Sequence, residues 1–177
     1  MIRDANRALS SNPKDAHALK VLADAYYDDQ QWEKAFKTYT LLVELLPTNP
    51  DLSAHEINMR HGLAAMQLKK YEDAHRSLTL ARRDNDGIFE IDFNLGRLEL
   101  MRRNYERAIN LLRSALELRP DHLPTTRYLG QALSRTKRHK EALQLLRKVL
   151  DEEPDDKETQ YVAAQAYYEI GQTDAAG

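Results

Sequence analysis

One phrase, written four times, constrains this chain more than any other feature. Residues 104 to 120 read NYERAINLLRSALELRP, and QWEKAFKTYTLLVELLP ends upstream at Pro47. KYEDAHRSLTLARRDND ends at Asp86, and RHKEALQLLRKVLDEEP ends at Pro154. Aligned on their small residue, the copies superpose Ala35, Ala74, Ala108 and Ala142. The last two steps are equal, at a period of about 34 residues, and the first is five longer. Pro13, Pro47, Pro120 and Pro154 keep the same frame. Gly62, Gly96 and Gly130 stand one period apart, sharing a place with Ala23 and Ala164. Self-similarity at a fixed period of this size means an array of small units that bury their apolar faces against one another.

Each unit reads as two helices. In the last full copy the first helix is expected from about Pro124 to Thr136 and the second from about His139 to Glu152. Ala142, Leu145, Leu146, Val149 and Leu150 recur at three- and four-residue steps, the apolar stripe of an amphipathic helix. Pro154 ends that helix, and Pro124 sits in a first turn where its missing N–H is harmless. Three glycines inside helices each give up about 1 kcal/mol of helix propensity. A close approach between the paired helices at Gly96 and Ala108 offsets that cost.

Composition removes whole classes of function. A formal charge of -2 is a poor basis for holding nucleic acid by bulk charge. With no cysteine there is no disulfide framework, thiolate nucleophile or Cys-ligated zinc. No apolar run approaches the about 18 residues that span a bilayer, and no signal peptide opens the chain. The compartment stays open between cytoplasm and periplasm, with any anchor outside this segment.

Candidate chemistry is thin. HEINMRH, residues 55 to 61, glances at a zinc-protease helix, but its His55 and His61 are six apart, about 240° around a helix. Every glycine is isolated, so no phosphate-cradling loop exists, and Ser77 and Ser114 sit inside helical patterns. No cofactor, no metal and no catalytic residue is expected; the chain is read as a non-enzyme. Charge is uneven: Arg127, Arg135, Lys137, Arg138, Lys140, Arg147 and Lys148 face Glu141 alone, and DEEPDDKE follows. That is either a solvated face or a docking patch for an acidic partner.

These residues resemble the tetratricopeptide repeat family, whose 34-residue unit carries Leu-Gly and Tyr in one helix and Ala, an aromatic, Ala and Pro in the next. The best copy matches through Leu95, Gly96, Tyr105, Ala108, Ala115 and Pro120. The first matches through Leu22, Ala23, Tyr26, Ala35, Tyr39 and Pro47. The resemblance implies an all-α right-handed superhelix of helix–turn–helix repeats, about ten helices forming one array over residues 1–177. Its expected divisions are a second helix at 2–12, repeats at 16–49, 50–88, 89–122 and 123–156, and a first helix at 157–177. The second copy departs: His61 replaces the usual Leu, and Asp86-Gly87 replaces the closing Pro. Five extra residues follow Pro47, where Asn49 is expected to cap a first helix lengthened back to Pro50. The length of the period favours protein binding over the RNA-binding pentatricopeptide plan.

In such arrays the first helices line the concave groove. The family's groove positions fall here on Lys20, Asp24, Tyr27 and Asp28, then Met59, Arg60, Leu63 and Met66. They continue through Phe93, Asn94, Arg97, Leu100 and Met101 to Arg127, Tyr128, Gln131 and Arg135, and end on Tyr161, Gln165 and Tyr168. Met adapts to varied partners, while Tyr and Arg are hot-spot residues. Four arginines, Arg60, Arg97, Arg127 and Arg135, are expected to make the middle of the groove positive. The implied partner is a protein segment, extended or helical, with acidic groups beside apolar anchors. Chaperone C-terminal tails are not expected: Lys20 fits that family's clamp, but Asp24, Arg60, Glu90 and Asn94 replace the rest.

The implied role is a scaffold or adaptor in complex assembly. The alternative is a structural subunit of a membrane- or envelope-associated complex, using the array ends or convex face. The half-units at both ends look uncapped, Tyr161, Tyr167, Tyr168 and Ile170 lying on the last helix. The chain is therefore expected to be a piece of a longer array or multidomain protein, with self-association, the open end pairing with a second copy, as the other reading.

Overall fold

A computed structural model describes residues 2–85 and 87–175, with side chains placed through residue 171. Apart from one short turn, every element among the described residues is an α-helix, in two compact units divided after residue 86. Asp86, half of the expected Asp-Gly helix stop, lies outside the described residues; Gly87 has a left-handed φ of +79°.

The first unit holds α1 (Ile2–Ser11), α2 (Ala16–Asp28), α3 (Trp32–Leu45), α4 (Ala54–Gln67) and α5 (Tyr71–Asp84). Each helix packs on its neighbour in sequence. Ala23, Ala35, Tyr39, Leu42, Ile57 and Ala64 form the core, all almost fully buried. The second unit holds α6 (Phe89–Met101), α7 (Tyr105–Leu118), α8 (Leu123–Arg135), α9 (His139–Glu152) and α10 (Lys157–Ala175). Its core is built on Ile109, Leu112, Leu129, Leu133, Leu146 and Ala166. Here the first helices also touch each other, α6 against α8 and α8 against α10. Each buried aliphatic side chain contributes about 1.5–3 kcal/mol.

Gly62, Gly96 and Gly130 do what the sequence asks of them. A Cβ added at Gly62 would stand 2.7 Å from Leu78 Cγ, at Gly96 2.7 Å from Leu112 Cγ, and at Gly130 2.6 Å from Leu146 Cδ2. Each glycine is therefore a seat, and the leucine at the matching position of the partner helix is the plug that fills it.

The turn between paired helices is one motif repeated four times. In the first hairpin Gln31 N–H donates to Tyr26 O at 2.8 Å and Gln30 N–H to Tyr27 O at 3.0 Å. Lys70, Asn104 and Arg138 repeat the first of these bonds, their N–H groups donating to Ala65, Glu99 and Leu133 O at 2.9, 2.8 and 2.9 Å. These are Schellman closures, which need a left-handed residue just past the helix. Glycine is the usual choice, yet here the positions are Gln30, Lys69, Arg103 and Lys137, with φ between 56° and 63°. At the third of these turns Glu99, fully buried, accepts from Asn104 Nδ2 at 2.7 Å and pairs with Arg102 and Arg107 at 3.5 and 3.4 Å.

The insertion after Pro47 corrects an expectation. Leu46–Thr48 forms a 3₁₀ turn, and α4 begins at Ala54 rather than at Pro50. Asn49 caps backwards: its Nδ2 donates to Leu45 O at 2.9 Å, satisfying the end of α3 instead of the start of α4. The extra residues are a tied-down loop, and the first helix is not lengthened.

His61 is also explained. It is buried, its Nδ1 stands 2.8 Å from Ser77 Oγ on α5 and its Nε2 3.0 Å from Thr40 Oγ1 on α3. The ring stacks on Phe36 at 4.7 Å. Burial lowers its pKa to about 4, so it sits neutral among three helices.

Candidate partner-binding face

The outward side of the first helices carries most of the side chains that the sequence nominates. In the first unit Lys20 and Tyr27 stand on α2, and Met59, Arg60 and Leu63 on α4, all half-buried. Met66 does not belong with them: at 9% exposure it is buried with the core side of α4. That helix packs on both α3 and α5, so its inward face is wider than one apolar stripe.

Charge on this face is largely neutralised. Lys20 Nζ lies 2.7 Å from Asp24 and 3.7 Å from Glu56. Arg60 lies 3.5 Å from each of Asp24, Asp28 and Glu56. Two cations thus meet three carboxylates, and the Arg60 guanidinium also lies over the Tyr27 ring at 5.4 Å. Tyr39, fully buried beneath, donates its hydroxyl to Asp24. Burial and that hydrogen bond to the carboxylate drive its pKa far above the usual phenol value.

The face of the second unit is aromatic. Phe93 on α6 stacks on Phe89 at 5.6 Å, with His122 edge-on to both rings at 4.8 and 5.0 Å. Tyr128 on α8 closes the cluster 6.0 Å from Phe93. His122 also begins α8: its Nδ1 accepts from Thr125 N–H at 3.3 Å. Burial, then nearby Arg119, lowers its pKa, in keeping with a neutral ring accepting at Nδ1.

Arg97 lies over two adjoining rings of this cluster, 5.4 Å from Phe93 and 5.3 Å from Tyr128. Asn94, expected to face a partner, is buried instead. Its Nδ2 donates to Glu90 O at 2.7 Å and its Oδ1 accepts from Arg97 at 3.1 Å, so it positions the arginine. Leu100 packs half-buried against the core, while Met101 is 49% exposed.

The expected fourfold positive field is reduced to two residues. Arg60 is matched as described, and Arg127 lies 3.0 Å from Asp156 and 3.9 Å from Glu153. Asp156 is held ionised below the usual carboxylate range: burial works the other way, but Thr159, through side chain and main chain, and Arg127 outweigh it. The same carboxylate accepts from Glu158 and Thr159 N–H at 3.1 and 3.2 Å, so it also caps α10. Arg97 and Arg135 have no carboxylate partner among the described residues. Arg135 is exposed and shares with Gln165, Glu169 and Lys137 a shallow cleft of about 190 Å³ between α8 and α10.

Arg97 Nε, Arg127 Nε and Gln131 Nε2 on this face are buried without a hydrogen-bond partner. Such groups cost about 1–3 kcal/mol each. At the end of the row Tyr161 and Tyr168 on α10 are 68% and 64% exposed and Gln165 is exposed, whereas Tyr167 takes the Arg147 guanidinium on its hydroxyl. Among the described residues no group of three or more His, Cys, Asp or Glu side chains stands together as metal ligands. No helix among them is long and apolar enough to cross a membrane.

Sequence reasoning missed His122, Glu99 and Asp156. For Asp156 a signal existed, an Asp three residues before Thr159 at a helix start. His122 and Glu99 carry little, because the ring contacts of His122 with Phe89 and Phe93 and the bonds of Glu99 to Asn104 and Arg107 reach beyond their own helices.

Paired helices closed by a recurring Schellman turn, with a small seat on one helix and its plug on the other, define a helical-hairpin repeat protein. Tetratricopeptide repeat models match residues 2–50, 87–152 and 135–177. The chain belongs to the tetratricopeptide repeat family, an all-α solenoid class. No protein of curated function matches the sequence. Solved structures do match in fold. YrrB, described as a TPR protein with an unusual peptide-binding site, aligns with a TM-score of 0.81 at 19% identity, covering 97% of this chain and 86% of that one. The crystal structure of MamA protein aligns at 0.76 with 20% identity, covering 86% and 81%. A further MamA structure, MSR-1 C2, aligns at 0.77 with 17% identity, covering 91% and 90%. At these identities the likeness is one of fold.

Proposed function

We propose that this chain is a non-catalytic interaction scaffold whose repeats, divided as the sequence period divides them, hold a partner peptide or helix on the first-helix face. The observation that carries this reading is the second-unit cluster, where Phe93, Arg97 and Tyr128 stand together, half-buried, on a side not consumed by packing between paired helices. Rings and an arginine in one place are what interface hot spots are made of. Met59 and Leu63 in the first unit, and Met101 in the second, offer adaptable apolar contacts. YrrB, of the same fold, is described as having a peptide-binding site, which supports the class of ligand. The partner is read as acidic with apolar anchors, its acidic contacts falling on the second unit, since the first-unit cations already have carboxylates.

The test is selection of random twelve-residue peptides displayed on phage against the immobilised chain. Enriched peptides that bind the native chain and are lost by an Arg97→Glu/Tyr128→Ala variant of unchanged helicity are the expected result. No enrichment, or equal retention by the variant, defeats the proposal. A second reading has one observation in its favour: the exposed Tyr161 and Tyr168 of α10 suit a subunit that assembles through its end. Light scattering of the native chain and of Tyr161→Ser/Tyr168→Ser tests it: association of the native chain that the variant loses is the expected result, and a monomer in both defeats this second reading.

A further inference from the structure

We infer that Arg97 reads a single carboxylate side chain in an extended peptide that crosses α6, α8 and α10 in turn. This rests on the interaction reading above and narrows it to a residue and a ligand chemistry. Arg97, Gln131 and Gln165 occupy one repeat position, each a full period from the next, on three successive first helices of the second unit. They form a row with one hydrogen-bonding side chain per repeat.

The first member is a cation prepared for an anion it does not yet have. Its guanidinium rests over two adjoining rings, Asn94 fixes one edge at 3.1 Å, and no carboxylate pairs with it among the described residues. Every other arginine expected on this face has an acid beside it, except the exposed Arg135 at the far side of α8. A planar guanidinium already ordered by stacking loses little freedom on forming a forked carboxylate pair. The buried Nε of Arg97 and Nε2 of Gln131 lack acceptors, so a small shift of either side chain onto a ligand oxygen recovers a hydrogen bond the free chain forgoes.

Spacing selects an extended ligand. Neighbouring packed helices lie about 8–10 Å apart, and an extended chain advances about 3.3–3.6 Å per residue. One rung therefore corresponds to about three ligand residues. The three rungs span about six residues, ending at the cleft where Gln165 meets Arg135. A helical ligand, rising about 1.5 Å per residue, would need more than ten residues for the same span. Gln131 and Gln165 suit peptide main-chain groups, each offering both a donor and an acceptor.

The experiment reads sequence preference in the same twelve-residue phage library, selected separately on the native chain, Arg97→Gln, Arg97→Lys and Arg97→Glu, each checked for an unchanged melting profile. The native pool is expected to fix Asp or Glu at one position. Arg97→Gln should lose that preference, Arg97→Lys should keep it more weakly, and Arg97→Glu should replace it with Lys or Arg. By fluorescence anisotropy, the leading native peptide should bind at least about tenfold more weakly when its acid is changed to the amide, a loss that shrinks at high salt. A native pool rich in peptides but without an acidic position, or an acidic position that survives both Arg97→Gln and Arg97→Glu, overturns this inference and leaves the scaffold reading standing. A native pool with no enriched peptide at all removes both.

Discussion

Glycine at the seat and leucine at the plug make a prediction that reverses sign. At Gly96 an added methyl would lie 2.7 and 2.9 Å from Leu112 Cγ and Cδ2, and Leu112 is fully buried with nowhere to retreat. Overpacking of this kind costs about 1–3 kcal/mol. Alanine in place of glycine inside a helix returns about 1 kcal/mol of propensity. Gly96→Ala is therefore expected to destabilise the native chain by about 1 kcal/mol. Leu112→Ala alone leaves a cavity and costs about 2–5 kcal/mol. On that background the added methyl loses both close contacts and keeps only the backbone N of residue 112 at 3.4 Å, so the same Gly96→Ala substitution should stabilise by about 1 kcal/mol. Urea unfolding followed by far-ultraviolet circular dichroism measures all four corners of the cycle, with equal m-values as the condition for comparing them. Gly171→Ala is the control, since a Cβ there meets nothing within 4 Å. Gly96→Ala with one sign and size on both backgrounds would refute the seat-and-plug account.

Acid should act on the first unit through His61. Its folded pKa of about 4 lies below the unfolded value near 6.5, with Lys70, Arg76 and Asp73 the charges that face it. The unfolded chain binds the extra proton, so the contribution is full above about pH 6.5 and is lost as pH falls towards 4, by at most about 3 kcal/mol. His61→Gln should flatten that part of the pH–stability curve; parallel curves for the two proteins would count against it. Arg103 holds a left-handed φ of 63° with its side chain exposed. Arg103→Gly relieves about 1 kcal/mol of strain, less the freedom glycine gains when unfolded, and should raise the melting midpoint slightly. A lowered midpoint would show that the arginine side chain matters more than its backbone.

The helix pairs are legible in the sequence because the signal repeats. Expected bounds of Pro124 to Thr136 and His139 to Glu152 meet observed helices at Leu123–Arg135 and His139–Glu152. Where the period breaks, the reading breaks with it. Asn49 can close the helix behind or open the one ahead, and only the position of Leu45 O decides. Met66 reads as surface if α4 buries a single stripe, whereas that helix packs on two others. The state of each arginine depends on acids in other turns and other helices, as with Arg127 and Asp156. Residue type names the arginines; only their three-dimensional surroundings separate the matched from the unmatched.

Because Gly62, Gly96 and Gly130 each find their leucine inside the same hairpin, every such hairpin is self-sufficient in its tightest contact. Excising or duplicating one whole period across Gly96–Leu112 or Gly130–Leu146 removes or adds a complete lock with its key and strands neither half. Length is thus a free variable for this architecture: it can grow or shrink by whole hairpins while the fit within each survivor stays intact.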